Sequence, residues 1–427
     1  MSEKTFVLHP VLKDKADTGR TSQAGLEEIK NLTAAIDLTV VAAETVLLNR
    51  LNAALYIGKG AAERIRDVIK ENEISLAVVN TALSPIQQRN LEKLWNCKVI
   101  DRTALILEIF GERARTKEGV LQVELAHLSY QRSRLVRGWT HLERQRGGKG
   151  FLGGPGETQI ELDRRVITDN IVKLKKELEE VKRTRHLHRK ARQRIPFPVI
   201  ALVGYTNAGK STLFNRLTNA DVFAKDMLFA TLDPTMRLLK LPSGRQVILS
   251  DTVGFISDLP TELVAAFRAT LEEVLEASLI VHVRDISHPD TQAQKADVES
   301  VLKDLGLSKQ VDQGLIEALN KSDLMDEQER SALQSVTTRQ EKQVLISAAT
   351  GQGVPELLAL LEKSLATGRL EIVADIPVAD GAALAYLYRV GEVLERHDGE
   401  SVCHVRVRLD PSDVAKFKNN FPQVIYA

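Results

Sequence analysis

The stretch with the clearest chemistry is Gly204-Tyr205-Thr206-Asn207-Ala208-Gly209-Lys210-Ser211, a G-x-x-x-x-G-K-S pattern. The apolar, β-branched run Pro198-Val199-Ile200-Ala201-Leu202-Val203 precedes it and reads as a buried parallel strand. Thr212 to Leu217 continues it as an amphipathic helix. A strand, a glycine turn and a helix N-terminus form an anion cradle, because consecutive backbone N–H groups and the helix dipole point at one place. Gly204 and Gly209 let the backbone approach phosphate. Lys210 is expected to reach the β- and γ-phosphates and Ser211 to ligate Mg²⁺.

Four further segments complete a guanine-nucleotide switch. Asp251-Thr252-Val253-Gly254 follows the strand Gln246 to Leu249. Asp251 is expected to hold the Mg²⁺ shell through water, and the Gly254 N–H to meet the γ-phosphate. Between the loop helix and that strand lies Phe229-Ala230-Thr231-Leu232-Asp233-Pro234-Thr235, with Thr231 the preferred second protein ligand to Mg²⁺ and Thr235 the other candidate. Loss of the γ-phosphate would release both segments. Leu315 to Leu319 reads as a strand delivering Asn320-Lys321-Ser322-Asp323. The Asp323 carboxylate can accept from guanine N1–H and its exocyclic amine, and adenine would leave a buried carboxylate unpaired. A last strand, Val344 to Ala349, ends in Ser347-Ala348-Ala349, which can present a backbone N–H to guanine O6. An ATPase or kinase shares the first loop, and Asp323 argues against both.

The catalytic set expected is Lys210, Thr231, Gly254 and Asn207. Asn207 reads either as a turn-stabilising side chain or as a ligand for an activating K⁺. Phe255 stands immediately after D-x-x-G, where many switch GTPases carry Gln, and a phenyl ring cannot orient water. Intrinsic hydrolysis is therefore expected to be slow. Arg237 and Arg268 have no positional support as internal arginine fingers.

These pieces need a multidomain α/β chain. Its 427 residues, 43% hydrophobic and 27% charged, suit a globular protein of several domains. No apolar run approaches a membrane span, and two cysteines suit a reducing cytoplasm. The net charge of +1 excludes a general polyanion binder. Residues 1–24 read as a flexible tail. Residues 25–119 alternate helix and strand and predict a small domain with a parallel sheet. Within it Gly58-Lys59-Gly60 reads as a tight turn rather than a phosphate nest. Residues 120–195 carry two apolar seams, Leu121, Leu125, Leu128, Leu135 and then Ile167, Ile171, Leu174, Leu178, Val181. They predict an antiparallel helical hairpin with a Gly-rich tip. Arg132, Arg134, Arg137, Arg144, Arg146 and Lys149 lead into that tip, beside Trp139 and His141. Such chemistry contacts phosphate or stacks on unpaired RNA bases. Residues 196–366 hold the doubly wound nucleotide domain. Residues 367–427 predict a small α/β domain, with strands at Glu371 to Ala374 and Val402 to Leu409 and helices at Ala382 to Arg396 and Asp413 to Asn419.

The motifs together closely resemble the HflX family of translation-factor-related GTPases. The resemblance rests on Gly153-Gly154-Pro155-Gly156-Glu157-Thr158-Gln159, the phosphate loop, Phe229 to Thr235, Asp251 to Ile256, Arg113-Ala114-Arg115-Thr116 and Leu121-Gln122-Val123-Glu124-Leu125. It spans about residues 25–366. It implies a GTPase that binds GTP or GDP and the large ribosomal subunit and separates stalled or idle ribosomes. It also implies that the tip, with Arg146, Lys149, Gly153 and Gly154, enters the peptidyl-transferase region. A cytoplasmic monomer without DNA or membrane partners is expected.

Overall fold

A computed structural model describes residues 3–13, 20–139, 159–192, 197–218, 235–257, 274–366, 370–409 and 411–426. Three sheets and a helical hairpin organise the described residues.

The first sheet is wholly parallel, in the order β2-β1-β3-β4. It comprises β1 (Lys4–Leu12), β2 (Thr39–Leu48), β3 (Leu76–Val79) and β4 (Lys98–Asp101), joined by helices α1 (Ser22–Ala34), α2 (Lys59–Glu71) and α3 (Pro85–Trp95). The expected tail is thus corrected: residues 4–12 are an interior strand with Phe6, Val7 and Leu8 at most 1% exposed. Pro10 is tolerated there because β1 pairs with β3 only through Leu8, so its missing N–H breaks no second ladder. Gly58 is the N-cap of α2, which fits a turn. After β4, helix α4 (Arg102–Arg113) is capped by the Asp101 carboxylate, which accepts from the Ala104 N–H.

The hairpin consists of α5 (Lys117–Trp139) and α6 (Gln159–Arg192). Leu121 and Leu125, early in α5, pack with Leu174, Leu178 and Val181, late in α6, so the helices run antiparallel. At 34 residues, α6 is about 50 Å long. Residues 140–158, including Arg144, Arg146, Lys149, Gly153 and Gly154, lie outside the described residues.

The second sheet has six strands in the order β10-β9-β8-β5-β7-β6. These are β5 (Val199–Val203), β6 (Thr235–Lys240), β7 (Gln246–Asp251), β8 (Leu279–Asp285), β9 (Ile316–Asn320) and β10 (Gln343–Leu345). Only β6 runs antiparallel to its neighbour. Helices α7 (Lys210–Thr218), α8 (Thr291–Asp304), α9 (Ser308–Asp312), α10 (Glu327–Thr337) and α11 (Val354–Ala366) accompany it. Val344 to Ala349 is strand only to Leu345, and Ser347-Ala348-Ala349 form the turn beyond it.

The third sheet is antiparallel, with order β12-β13-β11-β14. Its elements are β11 (Leu370–Pro377), α12 (Gly381–Val390), β12 (Glu392–Asp398), β13 (Val402–Leu409), α13 (Pro411–Asn420) and β14 (Ile425–Tyr426), a ferredoxin-like βαββαβ unit. The helix expected from Ala382 to Arg396 stops at Val390. Gly391 follows in extended backbone, packed so tightly on Val407 and Leu409 that a Cβ would collide with both. Arg406 and Arg408 share one face as expected, and there they pair with Glu371, Glu392 and Glu395.

Candidate functional site: the nucleotide cradle and its interdomain clasp

The cradle forms where β5 ends against β8. A Cβ on Gly204 would strike the Val283 carbonyl, and one on Gly209, at φ +91°, would strike the Asn320 amide. No other residue fits either place. Asn207 holds the left-handed conformation at φ 59°, uncommon for a residue with a Cβ.

Lys210 is 6% exposed. Its Nζ donates to the Gly204 carbonyl at 3.0 Å and the Tyr205 carbonyl at 2.9 Å. An ammonium has three donors, so one remains for phosphate. Burial pulls its pKa down to about 8, against the pull of the Asp251 charge. The Ser211 hydroxyl donates to Asp251 Oδ2 at 2.7 Å, which brings two of the predicted Mg²⁺ ligands together. A serine hydroxyl beside a fully buried carboxylate is an all-oxygen donor set suited to Mg²⁺. Thr252 is buried and donates to the Leu202 carbonyl, tying the end of β7 to β5. Thr235 opens β6 and is paired in register with Asp251. Phe229, Ala230, Thr231, Leu232, Asp233 and Arg268 lie outside the described residues. Arg237 is exposed, with a guanidinium bond to the Met236 carbonyl.

The base-reading segments converge on the same edge. Asn320 bridges the two halves: its Nδ2 donates to the Ala208 carbonyl and its Oδ1 accepts from the Ala348 N–H, both at 2.8 Å. Lys321, at φ 67°, pairs with Asp285 at 2.8 Å. Ser322 is buried, and its hydroxyl has no partner among the described residues. Asp323, the carboxylate expected to read guanine, is exposed. A bound base would itself provide the burial. In the turn after β10, the Ser347, Ala348 and Thr350 N–H groups are spent on Gln352, Asn320 and Ser347. Among the described residues no hydrogen bond engages the Ala349 N–H, the group expected to face a purine O6.

Gly254 lies directly over the phosphate loop. The Thr206 N–H donates to the Phe255 carbonyl at 2.7 Å, and the Phe255 N–H to the Gly204 carbonyl at 3.1 Å. The Phe255 ring is 2% exposed and packs in the core.

Sequence reasoning missed what holds this segment down. The Tyr205 hydroxyl accepts from the Ser257 N–H at 2.7 Å and donates to Glu28 of α1 at 3.1 Å. Arg102, the first residue of α4, donates to Glu28 at 2.9 Å, to the Ser257 carbonyl at 3.0 Å and to the Ser257 hydroxyl at 2.9 Å. Burial, and then Glu28, push the Tyr205 phenol above its ordinary range. Nearby, Arg20 pairs with Asp297 and the Thr21 N–H donates to Asp290. A cavity of about 320 Å³ lies along this junction, lined by His9, Arg20, Asn80, Arg102, Thr206 and Asn207. Burial and the Arg102 charge hold His9 below the usual imidazole range. The neighbouring Asp101, 1% exposed, receives the Tyr130 hydroxyl at 2.8 Å and the Arg134 guanidinium. It thereby fixes α5 to the first sheet. No local motif announces these pairs, whose members lie up to 277 residues apart.

Residues 23–111 match the family described as GTP-binding GTPase N-terminal, residues 113–192 its Middle Region, and residues 199–321 the family described as 50S ribosome-binding GTPase. A GTPase HflX from Magnetococcus marinus is 50% identical over 92% of this chain and 90% of its own length. The GTPase HflX of Escherichia coli is 41% identical over 90% of each. A GTP-binding protein from Sulfolobus solfataricus, crystallised with GDP, is 24% identical, covering 85% of this chain and 98% of that one at a TM-score of 0.44. The chain belongs to the HflX family of GTPases: it binds guanine nucleotides and hydrolyses GTP.

Proposed function

We propose that this GTPase binds the large ribosomal subunit and separates the subunits of stalled or idle ribosomes. GTP holds the binding state and hydrolysis releases the factor. The observation that carries the proposal is the Asp101–Arg102 pair. Asp101 anchors the basic hairpin, and the next residue grips the nucleotide segment. A nucleotide-dependent shift at Ser257 therefore has a short, packed route to an arm about 50 Å long. The description of the matched nucleotide domain as 50S ribosome-binding supports the same partner. The tip residues Arg146, Lys149, Gly153 and Gly154 would meet ribosomal RNA near the peptidyl-transferase region.

At the nucleotide, Lys210 holds the phosphates, Gly254 senses the γ-phosphate and Asp323 with Ala349 reads guanine. Ser211, Asp251 and Thr231 would hold Mg²⁺, which would neutralise phosphate charge. Asn207, in its left-handed turn, would offer a side-chain oxygen to K⁺. The buried Phe255 ring cannot position water, so intrinsic turnover is slow and the ribosome supplies the missing activation. The protein works in the cytoplasm; among the described residues no helix is long and apolar enough to cross a membrane.

The buried Phe255 also favours a second reading, a GTP-gated assembly or dormancy factor with little turnover. Sucrose-gradient sedimentation of intact ribosomes with the protein and a slowly hydrolysed GTP analogue separates the two. Free subunits are expected; binding without separation contradicts the splitting function.

A further inference from the structure

A γ-phosphate held by both the Lys210 ammonium and the Gly254 N–H needs a gap between them. Here a Cβ on Gly254 would stand 3.1 Å from Lys210 Nζ and 2.9 Å from the Thr206 Cα. Residue 254 is thus pressed against the loop with no room for a further atom, and raising residues 254–257 opens the gap a third phosphate would use, which a diphosphate does not need. What resists the lift lies largely outside the nucleotide domain. Ser257 is held by Arg102 through its carbonyl and hydroxyl, and by Tyr205 through its N–H. Glu28 completes the clasp by accepting from Arg102, Tyr205 and, at 3.3 Å, the Ser257 hydroxyl.

We propose that Glu28 and Arg102, contributed by the first sheet's domain, set the preference of the nucleotide site for GTP over GDP. They are positioning residues that act through Ser257 and touch no phosphate. The clasp keeps most molecules in the lowered arrangement, and the apparent affinity for the triphosphate falls by the fraction that is lifted. This rests on the GTPase identity and not on the ribosomal partner.

The test is the affinity of Glu28→Gln and Arg102→Lys for GDP and for a non-hydrolysable GTP analogue, by titration calorimetry. The analogue should tighten about tenfold while GDP stays within about threefold. A merely structural role would weaken both together, and equal factors for the two nucleotides, or an unchanged ratio, overturn the proposal. Amide exchange at Ser257 in the unaltered protein gives a second reading, free of any folding defect. Exchange should accelerate with the analogue and not with GDP; equal protection in both complexes overturns the proposal.

Discussion

Two parallel sheets in this chain put the loops beyond their strand ends to opposite uses. In the second sheet, the ends of β5, β7 and β9 converge on a phosphate cradle and a base-reading edge. This is where open α/β sheets place ligands. In the first sheet, the ends of β3 and β4 carry Asn80, Asp101 and Arg102, all engaged with other parts of the protein. One sheet holds the nucleotide site and the other grips the segment that follows Gly254. The difference teaches that a charged residue at a strand end is a ligand site only where the backbone leaves room. Room comes from positive-φ glycines at 204 and 209, and no glycine stands at 80, 101 or 102.

The comparison breaks most visibly at Lys210. Lys210→Ala removes the donor aimed at the transferring group and should lower kcat for phosphate release by about 100- to 1,000-fold. Asp323→Asn should weaken GTP binding by roughly 100-fold, because an amide cannot accept both guanine donors, measured by nucleotide titration. On the gripping side, Arg134→Ala leaves the buried Asp101 carboxylate without its cation. It should cost about 3 kcal/mol in urea unfolding while GDP affinity barely moves. The smallest effect is on pH. Lys210 has a folded pKa of about 8, below the 10.5 usual for a lysine, so the unfolded chain binds more protons between those values. Stability of the nucleotide-free protein should therefore rise with pH across that window. GDP affinity should fall over the same range, by about tenfold one unit above the folded pKa, and Lys210→Arg should flatten the profile.

What the sequence showed plainly was contiguous or periodic. Eight consecutive residues encode the cradle, and the four- and three-residue steps of leucine encode the hairpin seam. The interior strand β1 was hidden because His9-Pro10 and the polar stretch after Leu12 read as irregular. Only the pairing of Phe6, Val7 and Leu8 with β2 and β3 reveals it. Strand β12 lies inside the helix expected from Ala382 to Arg396, because its alternation is short and only the packing of Gly391 on β13 marks the break. Glu28, Arg102 and Ser257 could not be linked at all: each is an ordinary polar residue whose role exists only after two domains meet. Asp323 is exposed for a related reason, since a bound base would supply part of the burial its discrimination needs.

The claim that one sheet hydrolyses while the rest of the chain governs it from outside is tested most directly by GTP hydrolysis with and without purified large ribosomal subunits, in potassium and in sodium. The account predicts slow turnover alone and strong stimulation by the subunit, greater in potassium if Asn207 holds that cation. Equal rates with and without subunits in both salts would contradict it.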